Sequence, residues 1–218
     1  MSLDGKIATV AGESRWLTGE EARRQVHALR RAADAVMVGI NTVLRDDPLL
    51  TVREEGDQPL ARQPLRVVAD SLGRLPLQAA LLRQPGRVFV ATASVDPERV
   101  EALKRAGAEV VACPGEDGRV DLPALLRLLG ERAVTSLLVE GGGTLLASFF
   151  RLGCVDKVIA FIAPLVLGGE GAPTPAEGAG VSRLTDAGRW RLHRAERVGP
   201  DLMVVAYPGG TSQCSPAS

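Results

Sequence analysis

Short apolar runs alternate with helical patterns along most of the chain. The runs span 35–40, 65–70, 87–93, 108–113 and 136–140 and contain few polar residues. Continuous apolar runs of this length are typical of strands buried on both faces of a parallel sheet. Apolar residues recur at helical spacing in the segments between them, at 18–33, 96–107, 122–133 and 143–153. The alternation predicts an α/β fold with a mostly parallel central sheet flanked by helices.

The last part of the chain has a different pattern. The apolar segment 155–168 is too long for a surface strand, and a loop rich in Gly, Pro and Ala follows at 168–180. Two further segments, 189–199 and 201–209, are separated by a short turn at 198–201 and predict an antiparallel C-terminal strand pair. We expect residues 1–208 to form a single domain and residues 209–218 to be a disordered tail.

Composition excludes several classes of function. The net charge is +0, so nucleic acid and anionic membranes are poor partners. The three cysteines, Cys113, Cys154 and Cys214, lie far apart, which argues against a disulfide framework and favours the cytoplasm. No apolar run is long enough to predict a membrane span, and the polar N-terminus is unlike a signal peptide.

The first candidate for chemistry is "SLLVEGGGTLLASFF", residues 136–150. An apolar strand ends at Glu140, three glycines follow, and a helix begins. Helix N-termini bind phosphate, and glycines allow a ligand to approach the backbone closely. A tight turn between strand and helix would explain the same glycines without a ligand. The run does not match the G-x-G-x-x-G fingerprint, which disfavours an ordinary Rossmann dehydrogenase.

The second candidate is "GINTVLRDDPLLTVR", residues 39–53, where polar side chains follow a strand end. Asp-Asp-Pro is a good turn signal in its own right. The density of polar residues favours a binding loop, and the guanidinium of Arg53 would suit a phosphate.

The remaining signals are weaker. Trp16 lies in the polar stretch "GESRW" and either staples the next helix or stacks on a flat ring. His27 and His193 have no Cys or His at ligand spacing, so the sequence predicts no metal site. Walker A, G-x-S-x-G and zinc-deaminase signatures are absent.

Six segments together resemble the pyrimidine reductases of riboflavin biosynthesis, in order from residue 1 to about residue 208. They are "MSLDGKIAT", "GESRWLT", "VGINTVLRDDPLLTVR", "VADS", "VEGGGTLLASFF" and "VDKVIAFIAPLVLGG". The resemblance implies a dihydrofolate-reductase-like fold and a homodimer. It also implies an oxidoreductase that uses NADPH to reduce the ribosyl group of a ribosylaminopyrimidine 5′-phosphate to ribityl. A hydride would pass from the nicotinamide to the sugar C1′, through a ring-opened imine and without a metal.

The resemblance also implies roles for individual residues. On the substrate side it places Ser14, Arg30, Leu50, Arg53 and Glu140, with Arg53 at the 5′-phosphate and Glu140 as the catalytic carboxylate. On the cofactor side it places Trp16, Thr42, Asp46, Ser71, Gly142, Gly143, Thr144, Leu145, Leu146, Ala147 and Ser148. The residues from 142 to 148 would form the pyrophosphate loop.

The chain departs from the family pattern at its start, because members usually carry a strand with a Lys-x-Ala ending before the first motif. Either such a strand is encoded upstream of Met1, which is our hypothesis, or the protein lacks a central strand and its lysine. Two alternatives stay open beside the riboflavin reductase. One is another NADPH-dependent reductase of the same fold with a pterin-type substrate, and the other is a non-catalytic nucleotide-binding homologue. Whether the pyrimidine is reduced before or after deamination is also open.

Overall fold

The structure, a computed structural model, describes residues 1–53, 58–93 and 96–209. The chain divides into two compact units. The parallel unit runs from Val26 to Gly142, and the antiparallel unit combines Met1–Gln25 with Gly143–Ser218. The single domain over 1–208 stays a prediction, and the predicted tail, apart from Gly209, lies outside the described residues.

Five parallel strands form the sheet of the parallel unit. They are β1 (Ala35–Gly39), β2 (Leu65–Ala69), β3 (Val88–Thr92), β4 (Ala108–Ala112) and β5 (Leu137–Gly141), in the order β4-β3-β2-β1-β5. Every neighbouring pair is parallel, so the carboxyl ends of all five strands lie at one end of the sheet. The predicted α/β class with a mostly parallel sheet is confirmed.

Four α-helices of the described residues precede Gly142: α1 (Glu20–Ala32), α2 (Ile40–Asp46), α3 (Pro97–Arg105) and α4 (Leu122–Glu131). Helices α3 and α4 have the same type of N-terminal cap. The side chain of Asp96 accepts a hydrogen bond from the Glu98 amide, that of Asp121 accepts one from Ala124, and a proline lies in each first turn. Both features favour a helix start at the positions that the sequence indicates.

One segment differs from the expectation. Residues 40–46, predicted as the start of a polar binding loop, form helix α2. Ile40 and Val43 lie three residues apart and are both buried in the core, so one face of this turn packs as an amphipathic helix does. The helix ends at Asp47, which has a left-handed backbone (φ 40) directly before a proline. Thr42 and Asp46 are therefore helical residues.

The core of the parallel unit is aliphatic, with one buried cation. Valines from β1, β2 and β3 pack with Leu75, Leu81 and Leu103. The side chain of Arg66 on β2 is also fully buried. Its guanidinium donates hydrogen bonds to four backbone carbonyls, and burial of a cation is tolerated when such acceptors replace water. The carbonyls belong to Leu81, Gln84, Pro85 and Gly86.

The antiparallel unit contains helix α5 (Gly143–Arg151) and three strands, β6 (Val158–Ile162), β7 (Trp190–Val198) and β8 (Asp201–Pro208). The order is β6-β8-β7, and both pairings are antiparallel. The predicted C-terminal pair is thus confirmed, with Gly199 in its turn at φ 61. Near the N-terminus, the Asp4 carboxylate accepts hydrogen bonds from the amides of Leu167 and Gly168. None of the helices in the described residues has the length and apolar character needed to cross a membrane.

Candidate active site

An irregularity in the pairing of β5 with β1 sets the position of Glu140. Met37 lies opposite Val139, but the next β1 residue, Val38, lies opposite Gly141. Glu140 is therefore an extra residue in the ladder, a β-bulge of a kind that is uncommon between parallel strands. Bulges re-aim a side chain and interrupt pairing. Here the affected residue is the carboxylate that the sequence places at the end of the strand.

Arg30 and Glu140 form a two-point ion pair. Arg30 Nε donates to Glu140 Oε1 at 2.5 Å, and Nη2 donates to Oε2 at 2.6 Å. The remaining terminal nitrogen, Nη1, donates to the backbone carbonyl of Thr51 at 3.1 Å. The two side chains are only 16% and 15% exposed. Side-on pairing of a guanidinium with a carboxylate is strong and directional, so two predicted substrate residues are brought together in one fixed geometry.

Thr51 links this ion pair to Arg53. Its hydroxyl accepts a hydrogen bond from Arg53 Nε at 3.0 Å, while its carbonyl binds Arg30. Leu50, also predicted on the substrate side, has a left-handed backbone with φ 54. Its side chain is 2% exposed and belongs to the core, which leaves only its backbone for a ligand. Sequence reasoning missed Thr51, whose one signal is its place between Leu50 and Arg53.

Thr42 and the glycine run approach each other closely. A Cβ built on Gly142 would lie 3.4 Å from Thr42 Oγ1 and 3.8 Å from the Cα of Gly39. Gly142 also has a left-handed backbone, with φ 85, which glycine adopts at least cost. Asp46 lies four residues after Thr42 in α2 and hence on the same helix face. Two predicted cofactor positions, Thr42 and Gly142, are therefore adjacent.

Ser71 and Arg74, which both follow β2 in the chain, have different surroundings. The Ser71 hydroxyl accepts a hydrogen bond from the Val120 amide at 3.1 Å. Arg74 Nη2 donates to Asn41 Oδ1 at 3.1 Å, which places its guanidinium beside the first turn of α2. The structure therefore connects Arg74 with the segment that carries Thr42, whereas Ser71 is tied to the loop before α4. Asn41 is one of the polar residues of the stretch 39–53, and the sequence did not single it out.

In the antiparallel unit, the start of α5 is closely packed against the loop that follows β6. A Cβ on Gly143 would lie 2.6 Å from Glu177 Cγ and 2.6 Å from the Thr174 carbonyl oxygen. The Glu177 amide donates to the Gly143 carbonyl at 3.1 Å, and Thr144 Oγ1 donates to Glu177 Oε2 at 3.3 Å. A carboxylate thus lies beside the positive end of the helix. The sequence did not single out Glu177 as a candidate site residue, because the loop around it is rich in Gly, Pro and Ala.

The other predicted pyrophosphate-loop residues lie within the first two turns of α5. Leu145 is buried, and Leu146 and Ala147 are half-buried. The Ser148 hydroxyl donates to the Thr144 carbonyl at 2.9 Å, so it is used inside the helix. The first backbone amides of a helix have no partner within it, and at this terminus they are the groups that suit an anion.

Ser14 and Trp16 lie in the N-terminal part of the antiparallel unit. The Trp16 ring is 71% exposed, and the Arg23 guanidinium carbon lies 4.5 Å from its centroid. That distance is within the range of cation–π attraction. Ser14 is half-buried two residues earlier. The exposed ring offers a flat surface on which another ring can stack.

Comparison with known proteins identifies relatives over nearly the whole chain. A family model described as the RibD C-terminal domain matches residues 1–204. The riboflavin biosynthesis protein RibD of Actinobacillus pleuropneumoniae is 41% identical over 206 residues, which are 94% of this chain and 54% of that protein. The 2,5-diamino-6-ribosylamino-4(3H)-pyrimidinone 5′-phosphate reductase of Methanothermobacter thermautotrophicus is 44% identical over 205 residues, 94% of this chain and 93% of that protein.

A solved structure has the same fold. Acinetobacter baumannii RibD superposes with a TM-score of 0.82 at 31% sequence identity, covering 96% of this chain and 56% of that one. The chain therefore spans about half the length of the RibD proteins that it matches, but 93% of the archaeal reductase.

Proposed function

Because the chain belongs to the RibD C-terminal domain family, we propose that it reduces a ribosylaminopyrimidine 5′-phosphate to its ribityl form in riboflavin biosynthesis, with NADPH as reductant. The archaeal relative, which the chain covers almost completely, bears the name of this reductase. The observation that carries the proposal is the cluster of Arg30, Thr51, Arg53 and Glu140 in the parallel unit. Its two cations and one carboxylate suit a sugar phosphate that carries a hydrogen-bonding base.

Each member of this cluster has a separate task in the proposal. Arg53 binds the 5′-phosphate, since its guanidinium matches phosphate geometry. Glu140 accepts hydrogen bonds from the substrate and orients the sugar carbon that is reduced. Arg30 holds the carboxylate in place at two points and leaves it little rotational freedom. Holding reactants in register is the main contribution of a protein whose cofactor carries the chemistry.

Two features, each within one unit, support binding of a nicotinamide dinucleotide. In the parallel unit, the backbone at Gly142 runs so close to Thr42 that a side chain would fill the space between them. In the antiparallel unit, the first turn of α5 presents backbone amides, and Trp16 presents an exposed ring. When bound, NADPH would supply a hydride to C1′ of the sugar. The candidate cofactor residues are Thr42, Asp46, Ser71 and Gly142 within the parallel unit, and Trp16 and the residues from Gly143 to Ser148 within the antiparallel unit.

Arg74, fixed by Asn41, is our candidate for the 2′-phosphate that distinguishes NADPH from NADH. We expect a homodimer, which light scattering of the purified protein would detect. The free, buried thiol of Cys113 is compatible with a reducing cytoplasm.

The test is NADPH oxidation with two synthetic substrates, the diaminopyrimidinone ribosyl phosphate and its deaminated uracil counterpart. We expect absorbance loss with one or both, and the preferred one decides whether reduction precedes deamination. The ribityl product should be identified by mass. Oxidation with dihydrofolate in place of both would favour the pterin alternative. NADPH binding without turnover of any of the three would favour a non-catalytic homologue.

A further inference from the structure

The side-chain amide of Gln63 is bonded to the backbone of the segment that carries Arg53. Its Oε1 accepts a hydrogen bond from the Val52 amide at 2.8 Å, and its Nε2 donates to the Val52 carbonyl at 2.9 Å. The same Nε2 donates to the Leu60 carbonyl at 2.7 Å. Gln63 therefore bonds both backbone groups of Val52, and the Val52 carbonyl also accepts a hydrogen bond from the Leu60 amide at 3.0 Å.

Val52 lies between Thr51 and Arg53, which both belong to the proposed substrate cluster. Thr51 holds Arg30 through its carbonyl, and Arg53 is the candidate phosphate ligand. Val52 itself is fully buried, so its amide has no access to water if the Gln63 partner is lost. A buried amide without a partner is costly, and the segment would have to move to relieve it. The position of Arg53 therefore depends on Gln63.

The Gln63 side chain also packs against Gly86. A Cβ on Gly86 would lie 2.8 Å from the Gln63 Cβ, so the 81–86 loop packs directly against this side chain. That loop is held by the buried guanidinium of Arg66. A continuous set of contacts thus runs from Arg66 through Gly86 and Gln63 to Val52, all within the parallel unit.

We propose that Gln63 is a positioning residue, which holds residues 50–53 so that Arg53 faces the substrate while the Thr51 carbonyl holds Arg30 in a fixed arrangement. The inference rests on the proposed function, because it assigns Gln63 to the substrate half of that site. Only a carboxamide meets the requirement at this position, since one acceptor must face an N–H while one nitrogen faces two carbonyls. A carboxylate would place oxygen against both carbonyls.

The experiment compares Gln63→Met and Gln63→Glu with Gln58→Met, an exposed glutamine of the same loop. We expect both Gln63 variants to raise KM for the pyrimidine about tenfold or more while KM for NADPH changes less than twofold. Gln58→Met should match the wild type. A merely structural role would lower the melting temperature and raise both KM values together, and that result would overturn the inference.

A double-mutant cycle with Arg53→Ala tests whether Gln63 affects substrate binding through Arg53. If Gln63 acts by placing Arg53, then Gln63→Met should add less than twofold to KM once Arg53 is removed, because coupled residues are not additive. Full additivity would contradict the proposal. Amide hydrogen exchange gives a readout that needs no turnover: a peptide covering residues 50–53 should exchange faster in Gln63→Met, with β1 unchanged.

These measurements distinguish a failure of the proposed function from a failure of the positioning role of Gln63. Wild-type protein that oxidises no NADPH with either pyrimidine would refute the proposed function, whatever the exchange result. An active wild type whose 50–53 exchange and pyrimidine KM are unaffected by Gln63→Met would refute the positioning role and leave the proposed function intact.

Discussion

Arg30 and Glu140 are 110 residues apart in the chain, yet two hydrogen bonds of 2.5 and 2.6 Å join their side chains. Arg30 lies near the end of α1, and Glu140 is the bulge residue of β5. The pair is mostly shielded from water, so each partner would lose a charge-assisted bond if the other were removed.

Glu140→Gln and Arg30→Gln should each reduce kcat/KM for the pyrimidine by roughly 10- to 100-fold. Each should also lower the free energy of unfolding by about 1–3 kcal/mol, because one buried group loses its partner. The double variant should regain part of the stability but none of the activity. Steady-state kinetics and urea unfolding measure both effects. The exposed pair of Lys104 and Glu101 supplies the control, and Glu101→Gln should change neither quantity. A double variant with restored activity would contradict our assignment.

Arg53→Ala should weaken substrate more than cofactor. A charge-assisted hydrogen bond contributes about 1.5–3 kcal/mol, so KM for the pyrimidine should rise about tenfold or more, with NADPH affinity nearly unchanged. Arg62→Ala, an exposed arginine of the same loop, is the control and should behave as wild type. An equal loss of both affinities would place Arg53 at the dinucleotide.

Arg74→Ala should reduce the preference for NADPH over NADH. If Arg74 binds the 2′-phosphate, its loss should lower kcat/KM for NADPH about tenfold and leave kcat/KM for NADH nearly unchanged. Arg83→Ala is the control, since Arg83 is an exposed arginine of the same unit. Wild-type protein that uses the two cofactors equally well would rule out the assignment at once.

The Asp34 carboxylate should contribute to acid sensitivity. Hydrogen bonds from the hydroxyls of Thr135 and Ser136 and from their amides lower the pKa of Asp34 from 3.8 to about 2. The folded state therefore binds this proton only at lower pH than the unfolded state does. Its stabilisation is complete above pH 3.8 and is lost as the pH falls toward about 2.

Asp34→Asn should accordingly be less stable than wild type at neutral pH, with the difference shrinking between pH 4 and pH 2. Urea unfolding across that range measures it, and the exposed Asp156→Asn variant should follow wild type throughout. A constant difference between wild type and Asp34→Asn at every pH would show that the carboxylate's ionisation contributes nothing.

Gly143→Ala should destabilise the protein and weaken NADPH binding. The new Cβ would lie 2.6 Å from Glu177 Cγ and from the Thr174 carbonyl, and overpacking of this kind typically costs about 1–3 kcal/mol. Gly130→Ala in α4 is the matched control, because nothing lies within 4 Å of its Cβ position. That variant should be neutral or stabilised by up to about 1 kcal/mol. Equal melting temperatures for the two variants would contradict the crowding at Gly143.

Sequence periodicity was enough to identify the strands and most of the helices. The five apolar runs became β1 to β5 because a strand buried on both faces must be apolar at every position. Helices α3 and α4 begin at Asp-Pro and Asp-Leu-Pro signals because their capping bonds are local. The short helix α2 was missed, since its polar residues outnumber the two apolar ones that pack in the core.

The residue types of the candidate site could be recognised from the sequence, but their partners could not. The family resemblance pointed to Arg30, Arg53 and Glu140. The tertiary structure alone showed that Arg30 and Glu140 pair with each other and share Thr51 with Arg53. The same holds for the β-bulge at Glu140 and for Gln63, whose side-chain amide bonds both backbone groups of Val52. Periodicity and capping depend on neighbours within about one helical turn or one strand. Ion pairs, bulges and side-chain clamps depend on which distant segments the fold places side by side, and no local pattern encodes that choice.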